Sequence, residues 1–125
     1  MDMVYEACRI LKQVLQARAP YKTGNLAMNS IRVVGNAVYI GGEIAPYAPF
    51  TNEPWKSEKR QGKKNPNEGW IRRAIEEATP IIQRVLSGHA SDEDVKSAIA
   101  KYQSIYEERK KHRIELLNKK KETIK

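Results

Sequence analysis

Ile31-Arg32-Val33-Val34-Gly35-Asn36-Ala37-Val38-Tyr39-Ile40 is the stretch on which the fold turns. Ile31, Val33, Val38 and Ile40 alternate with Arg32, Val34, Ala37 and Tyr39, the period of strands with one buried face. Gly35-Asn36 stands between the two runs as a two-residue hairpin turn with glycine first. That register sets Val33 opposite Val38 and Ile31 opposite Ile40 on the apolar face. On the other face Arg32 falls opposite Tyr39, where a guanidinium can lie over the ring. A lone hairpin is marginal in water, so its apolar side has to be covered. Helical patterns before and after it supply the cover.

Upstream, residues 2–18 read as an amphipathic helix. Val4, Cys8, Leu11 and Leu15 recur at four, three and four, with Ala7 and Val14 beside them, while Arg9, Lys12, Gln13 and Gln16 lie outside. Pro20 stops the helix and pushes Ala19 out of helical geometry. Tyr21-Lys22-Thr23-Gly24-Asn25 then reads as a turn, with Gly24 suited to positive φ. Cys8 is the sole cysteine, so no internal disulfide or cysteine-based zinc cluster can form, and its place on the apolar face makes it a buried small hydrophobe.

Downstream, residues 47–51 can form a third strand. Pro46 and Pro49 confine it to a sheet edge or an irregular extended segment. Residues 53–64 have no apolar period and form a long polar loop with Trp55 as its one anchor, suited either to docking on a partner or to tucking back onto the sheet. Asn65-Pro66-Asn67-Glu68 reads as a helix start, with Asn65 as cap, Pro66 at the first helical position and Glu68 reaching back. Ile71, Ile75, Ala78, Ile82 and Val85 keep their phase across Pro80, which predicts one helix, kinked there and ended by Gly88. Ser91 caps a third helix with acids in its first turn, and Val95, Ile99, Tyr102 and Tyr106 form its apolar stripe. Beyond Glu107 that phase fails at Arg109 and Arg113, and the last turns need a neighbouring subunit to order them.

The expected fold is therefore α+β. A short antiparallel sheet, hairpin 31–40 plus an edge segment, is sandwiched by two main helices in residues 1–88. A C-terminal helical extension with a basic tail occupies 89–125.

Charge is unevenly spread. The 125 residues carry 23 Lys and Arg against 15 Asp and Glu, a net charge of +8. Residues 56–64 and 107–125 each contribute +4, so the rest is neutral. Such blocks suit polyanions, or simply a solvated surface. Residues 1–6 form neither a signal peptide nor a membrane span, which places the chain in a reducing cytoplasm. His89 and His112 lack partners at zinc-ligand spacing, residues 92–94 lack a calcium loop, and Gly62-Lys63-Lys64 lacks the rest of a phosphate loop. With no nucleophile elbow either, neither an enzyme nor a cofactor is expected.

Several motifs in order resemble a known family. Pro20-Tyr21-Lys22-Thr23-Gly24-Asn25-Leu26, then Ser30-Ile31, the hairpin and Tyr47-Ala48 are similar to the tail-completion, or head–tail joining, proteins of long-tailed bacteriophages. Tyr39-Ile40-Gly41-Gly42, Pro46-Tyr47-Ala48-Pro49-Phe50, Asn65-Pro66, Gly69-Trp70-Ile71 and Glu76-Glu77-Ala78-Thr79-Pro80 more closely resemble the "minor capsid protein" branch in phages of Gram-positive hosts. The likeness covers about residues 3–86. Where the wider family usually has Glu-x-Gly-Thr, this chain has Phe50-Thr51-Asn52-Glu53-Pro54-Trp55.

The resemblance implies a structural subunit of the virion neck, assembled in the host bacterial cytoplasm into a hexameric or dodecameric ring through which double-stranded DNA passes. Its partners would be neighbouring neck, adaptor and tail-tube or terminator proteins, with no membrane. On this reading Trp55, Lys56, Lys59, Arg60, Lys63 and Lys64 dock on the next ring, and Val95, Ile99, Tyr102 and Tyr106 pack on a neighbouring subunit. Lys110, Lys111, Arg113, Lys119, Lys120 and Lys121 face DNA or an acidic partner. The alternatives are a small nucleic-acid-binding module or, among structural proteins, a tail terminator or capsid-side minor protein.

Overall fold

The computed structural model describes residues 2–20, 30–41, 52, 65 and 67–124, with backbone only for 117 and 120–124. It is a small α+β fold in the chain order α1 (Met3–Arg18), β1 (Arg32–Val34), β2 (Ala37–Tyr39), α2 (Trp70–Leu86) and α3 (Asp92–Ile124). The edge strand expected at 47–51 and the loop 53–64 lie outside the described residues, as does the turn at 21–25.

The hairpin forms in the expected register: Arg32 opposite Tyr39, Val33 opposite Val38, Val34 opposite Ala37. Gly35 takes φ +61° while Asn36 stays on the negative side, the pattern of a II′ turn. Ile31 is buried and Val33, Val38 and Ile40 are half-buried, whereas Val34 and Tyr39 are about half exposed, at 54% and 49%. On that outer face the Arg32 guanidinium lies 5.7 Å from the Tyr39 ring centroid.

Helix α1 is the hub: it packs against α2, α3 and both strands. The hairpin rests on α1, and Ile31, Val38 and Ile40 join the same core cluster as Trp70 and Ala74 of α2. Asp2 caps α1, its Oδ1 accepting the Tyr5 N–H at 3.1 Å. The buried face is Ala7, Ile10, Val14, Leu15 and Ala17, roughly a quarter-turn from the expected stripe at 100° per residue. Val4 is exposed and Cys8 is half-buried, not enclosed. A helix with neighbours on several sides is not buried along a single line, and the four-three-four period found one side of it.

A smaller offset in the same sense, roughly 55°, recurs in α2. Trp70, Ala74, Ala78 and Val85 are buried, Ile71 and Ile82 are half-buried, and Ile75 is 44% exposed. Alanines on the buried faces of α1 and α2 bring the two helices close. Helix α2 runs through Pro80 as one helix, as expected. Thr79 Oγ1 donates to the Ile75 carbonyl at 2.6 Å within the turn that the proline crowds. The helix ends in a Schellman motif: the His89 N–H donates to the Arg84 carbonyl and the Gly88 N–H to that of Val85, with Gly88 at φ +78°.

The start of α2 differs from expectation. Asn65 Oδ1 accepts from the Asn67 N–H at 3.0 Å and so caps a turn before the helix, and the Glu68 N–H donates to the Asn65 carbonyl. The helix begins five residues later, after Gly69 in the left-handed region at φ +74°. Its cap comes from Asn52. The Asn52 side chain accepts the Ile71 N–H at 3.0 Å and its carbonyl accepts the Gly69 N–H at 2.9 Å, which gives two orphan donors of the helix start their partners.

Helix α3 opens with a reciprocal capping box. Ser91 Oγ accepts the Asp94 N–H at 3.2 Å and Asp94 Oδ2 accepts the Ser91 N–H at 2.9 Å. It is 33 residues long, about 50 Å at 1.5 Å per residue. Val95, Tyr102 and Tyr106 share one core cluster with Ile10, Val14 and Val85. The chain is thus one packing unit across Gly88, and the first part of the expected extension belongs to the core.

Candidate interaction surface

The stripe Val95, Ile99, Tyr102, Tyr106 faces inward. Tyr102 is 3% exposed and Ile99 packs on the core from its edge. The expectation that this stripe contacts a neighbouring subunit is corrected: its apolar atoms are used within the chain, against α1. A stripe of two tyrosines and two aliphatics on a charged helix has the composition of either kind of contact, and only the position of α1 decides between them.

The seam does not end where the apolar phase ends. Arg109 occupies the next position and is half-buried. Its Nη1 donates to the Ala17 carbonyl and its Nη2 to the Ala19 carbonyl at 2.7 Å. These carbonyls belong to the C-terminal end of α1, where acceptors lack helical partners and the dipole favours a cation. The guanidinium therefore acts as a C-cap delivered from another helix. Burial, and then the charge of Arg18, hold its pKa below the ordinary arginine value. What reads in sequence as a broken period is a change from apolar to polar contact along one continuous seam.

Beside it, Arg18 meets Glu77 of α2 in a two-pronged pair, Nε to Oε2 at 2.9 Å and Nη2 to Oε1 at 2.8 Å. The hydrogen bonds from Arg18, with further help from Lys101, hold the Glu77 carboxyl below the usual glutamate value. The same contact raises Arg18. Desolvation, with the nearby Glu77 charge, raises the Tyr102 phenol. The C-terminal end of α1 is thus a polar junction to which α2 and α3 each send a charged arm. Both members of the pair remain partly solvated, so it contributes about 0.5–1 kcal/mol.

Beyond Arg109 the character changes. Lys111 and Lys119 are exposed, Lys110 and Arg113 are half-buried, and Lys120 and Lys121 occupy the following helical positions. Ile114 and Leu116 stand 48% and 39% exposed among them. Glu107, Lys110, Lys111, Ile114 and Glu115 line a shallow groove of about 220 Å³. Of the described members of the expected basic surface, Lys111 and Lys119 face solvent, while Arg113 is partly covered and its Nε is buried. The expected docking residues Trp55, Lys56, Lys59, Arg60, Lys63 and Lys64 lie outside the described residues.

Among the described residues no three His, Cys, Asp or Glu side chains converge as metal ligands, and no helix is long and apolar enough to cross a membrane. At the α2–α3 turn, Ser87 Oγ donates to the Arg84 carbonyl and lies 2.8 Å from His89 Nδ1. With the ring N–H donating to Ser87, both groups are accounted for within the turn. Comparison with known protein families, with curated proteins and with solved structures finds no match.

Proposed function

We propose that the chain is a structural subunit of a bacteriophage neck, joining the portal side of the head to the tail tube around the DNA channel. The reading rests on one observation: the motifs from Pro20 to Pro80 occur in the order and spacing of the tail-completion family. The small α+β frame, in which those motifs flank a hairpin and two helices, is compatible with it. Fold likeness alone does not carry function, so the motif order bears the weight. The subunit acts by contact, and copies arranged head to tail close into a ring when the rotation per copy allows it. With the Val95–Tyr106 stripe committed to α1, the described surfaces left for assembly include the outer face of the hairpin and the far end of α3.

A phage lacking this gene tests the reading. Filled heads and finished tails that fail to join support it. Normal particles overturn it, as do defects confined to capsid assembly.

The exposed lysines of α3 support a second reading, a nucleic-acid-binding module. A steep salt slope for a monomer on duplex DNA, with site preference, would favour it. Weak, sequence-blind binding would favour the neck.

A further inference from the structure

Helix α2 carries more apolar surface than its contact with α1 uses. Ile71, Ile75, Ile82 and Leu86 fall within about a sixth of a turn of one another and span about 22 Å of helix. This stripe runs beside the buried line Trp70, Ala74, Ala78 and Val85, on the side away from Glu77 and its partner Arg18. Ile71 and Ile82 pack on the core from its edge, whereas Ile75 and Leu86 stand 44% and 47% exposed. A single exposed isoleucine is ordinary; a helical row of four that continues the core into solvent is an interaction surface.

Two further features say what fits it. The charged side chains of α2 are engaged within the chain: Arg72 pairs with Glu76 at 3.0 Å, Glu77 with Arg18 at 2.8 Å and Arg84 with Asp94 at 3.8 Å, while Arg73 donates to the Glu68 carbonyl. The face is therefore close to neutral in a chain of +8, so it neither selects an acidic partner nor repels its own copy. The stripe is also its own reverse. Ile71 and Leu86 are equidistant from the point between Ala78 and Thr79, and so are Ile75 and Ile82. An antiparallel copy sets Ile71 against Leu86 and Ile75 against Ile82, with the small Thr79 where the helices cross. The Thr79 hydroxyl already donates to the Ile75 carbonyl, so covering it strands no donor. Antiparallel packing also opposes the two helix dipoles, which parallel packing would align.

We propose that this stripe is a self-association surface: two copies of the chain pair antiparallel, α2 against α2, about a twofold axis between Ala78 and Thr79. The pairing is isologous and closes on itself, so it is distinct from the head-to-tail contact that a ring requires and does not depend on the neck reading. A single helix pair of this length buries less than the roughly 1,200 Å² of a standard stable interface. The dimer is therefore weak and forms in concentrated protein. Because the contact is apolar, salt does not loosen it.

Sedimentation equilibrium of the full chain at hundreds of micromolar should show a monomer–dimer equilibrium whose dissociation constant differs by less than about twofold between low and high salt. Ile75→Asp and Leu86→Asp, both at exposed positions, should each weaken dimerisation tenfold or more and leave the urea midpoint of the dilute monomer in place. Orientation is read with a short bismaleimide on chains carrying Cys8→Ser and one new cysteine. Thr79→Cys, beside the axis, should crosslink at least tenfold more than Leu86→Cys, whose two copies the pairing sets at opposite ends. Equal crosslinking of the two overturns the proposal, as does a dimer that neither aspartate weakens. A wild-type chain that stays monomeric also overturns it. A marked loss of monomer stability in both aspartate variants would overturn it too, because the chain's own residues would then cover this face.

Discussion

Arg109→Met is the perturbation that most sharply separates a seam running the length of α1 from one that stops at Tyr106. The methionine keeps the methylene packing and removes the two donors. Ala17 and Ala19 are fully buried, so their carbonyls lose partners that water cannot readily replace. Two hydrogen bonds from a charged donor are together worth about 3–6 kcal/mol at the upper limit. Against this stands the cost of holding a half-buried guanidinium near Arg18, the same cost that lowers its pKa. A net loss of about 2–3 kcal/mol follows. For a chain of this size each kcal/mol moves the midpoint by about 3–5 °C, so the expected fall in Tm is roughly 6–15 °C. Arg109→Lys should lose about half as much, because one ammonium cannot span both carbonyls with the geometry of a planar fork. Thermal and urea unfolding followed by circular dichroism measure both variants. A loss below about 0.5 kcal/mol for Arg109→Met, the range of an ordinary surface substitution, would refute the C-cap assignment.

Three further outcomes follow from the packing. Tyr102→Ala with Tyr106→Ala should destabilise the monomer by more than about 3 kcal/mol, measured by urea unfolding at concentrations below any association; a folded, undiminished monomer would return that stripe to the surface. Asn52→Ala should cost about 1 kcal/mol and Asn52→Asp almost nothing, since aspartate keeps the acceptor and suits the helix N-terminus; equal losses would mean the side chain does not cap α2. Glu77, whose pKa is lowered in the fold, adds stability that is fully present above its unfolded value of about 4.3 and is lost as pH falls through the lower folded value. Glu77→Gln should therefore flatten the stability curve on the acid side of pH 4.3, with a difference of about 0.5–1 kcal/mol at pH 7, and unchanged acid sensitivity would count against the pairing.

The features that were legible in the sequence are those set by neighbours in the chain. The hairpin register, its turn, the cation over Tyr39, the Ser91 cap and the Gly88 stop each depend on a few adjacent residues. What escaped is set by residues far apart. Asn52 caps α2 from 19 positions before Ile71, and no local pattern separates it from any other loop asparagine. Arg109 reads as the end of a stripe because periodicity scores hydrophobicity, whereas its contact is to backbone oxygens 90 and 92 positions away. Ile10 and Trp70 were missed as core because α1 has neighbours on several sides and α2 is turned accordingly, so the tidiest apolar line on each helix is not the buried one. The candidate surface was legible in part. The basic end of α3 stands out from charge alone, but whether the tyrosine stripe faced inward or outward could be told only from the placement of α1.

The most direct test of the contact-only account is an averaged electron-microscopy map of the head–tail junction in particles from a phage genome encoding this chain. The account predicts a closed ring of copies between portal and tail tube, each with α3 seated along α1 and a central opening wide enough for duplex DNA. A junction complete without this chain, or a chain found in the particle only at the capsid shell, would contradict it.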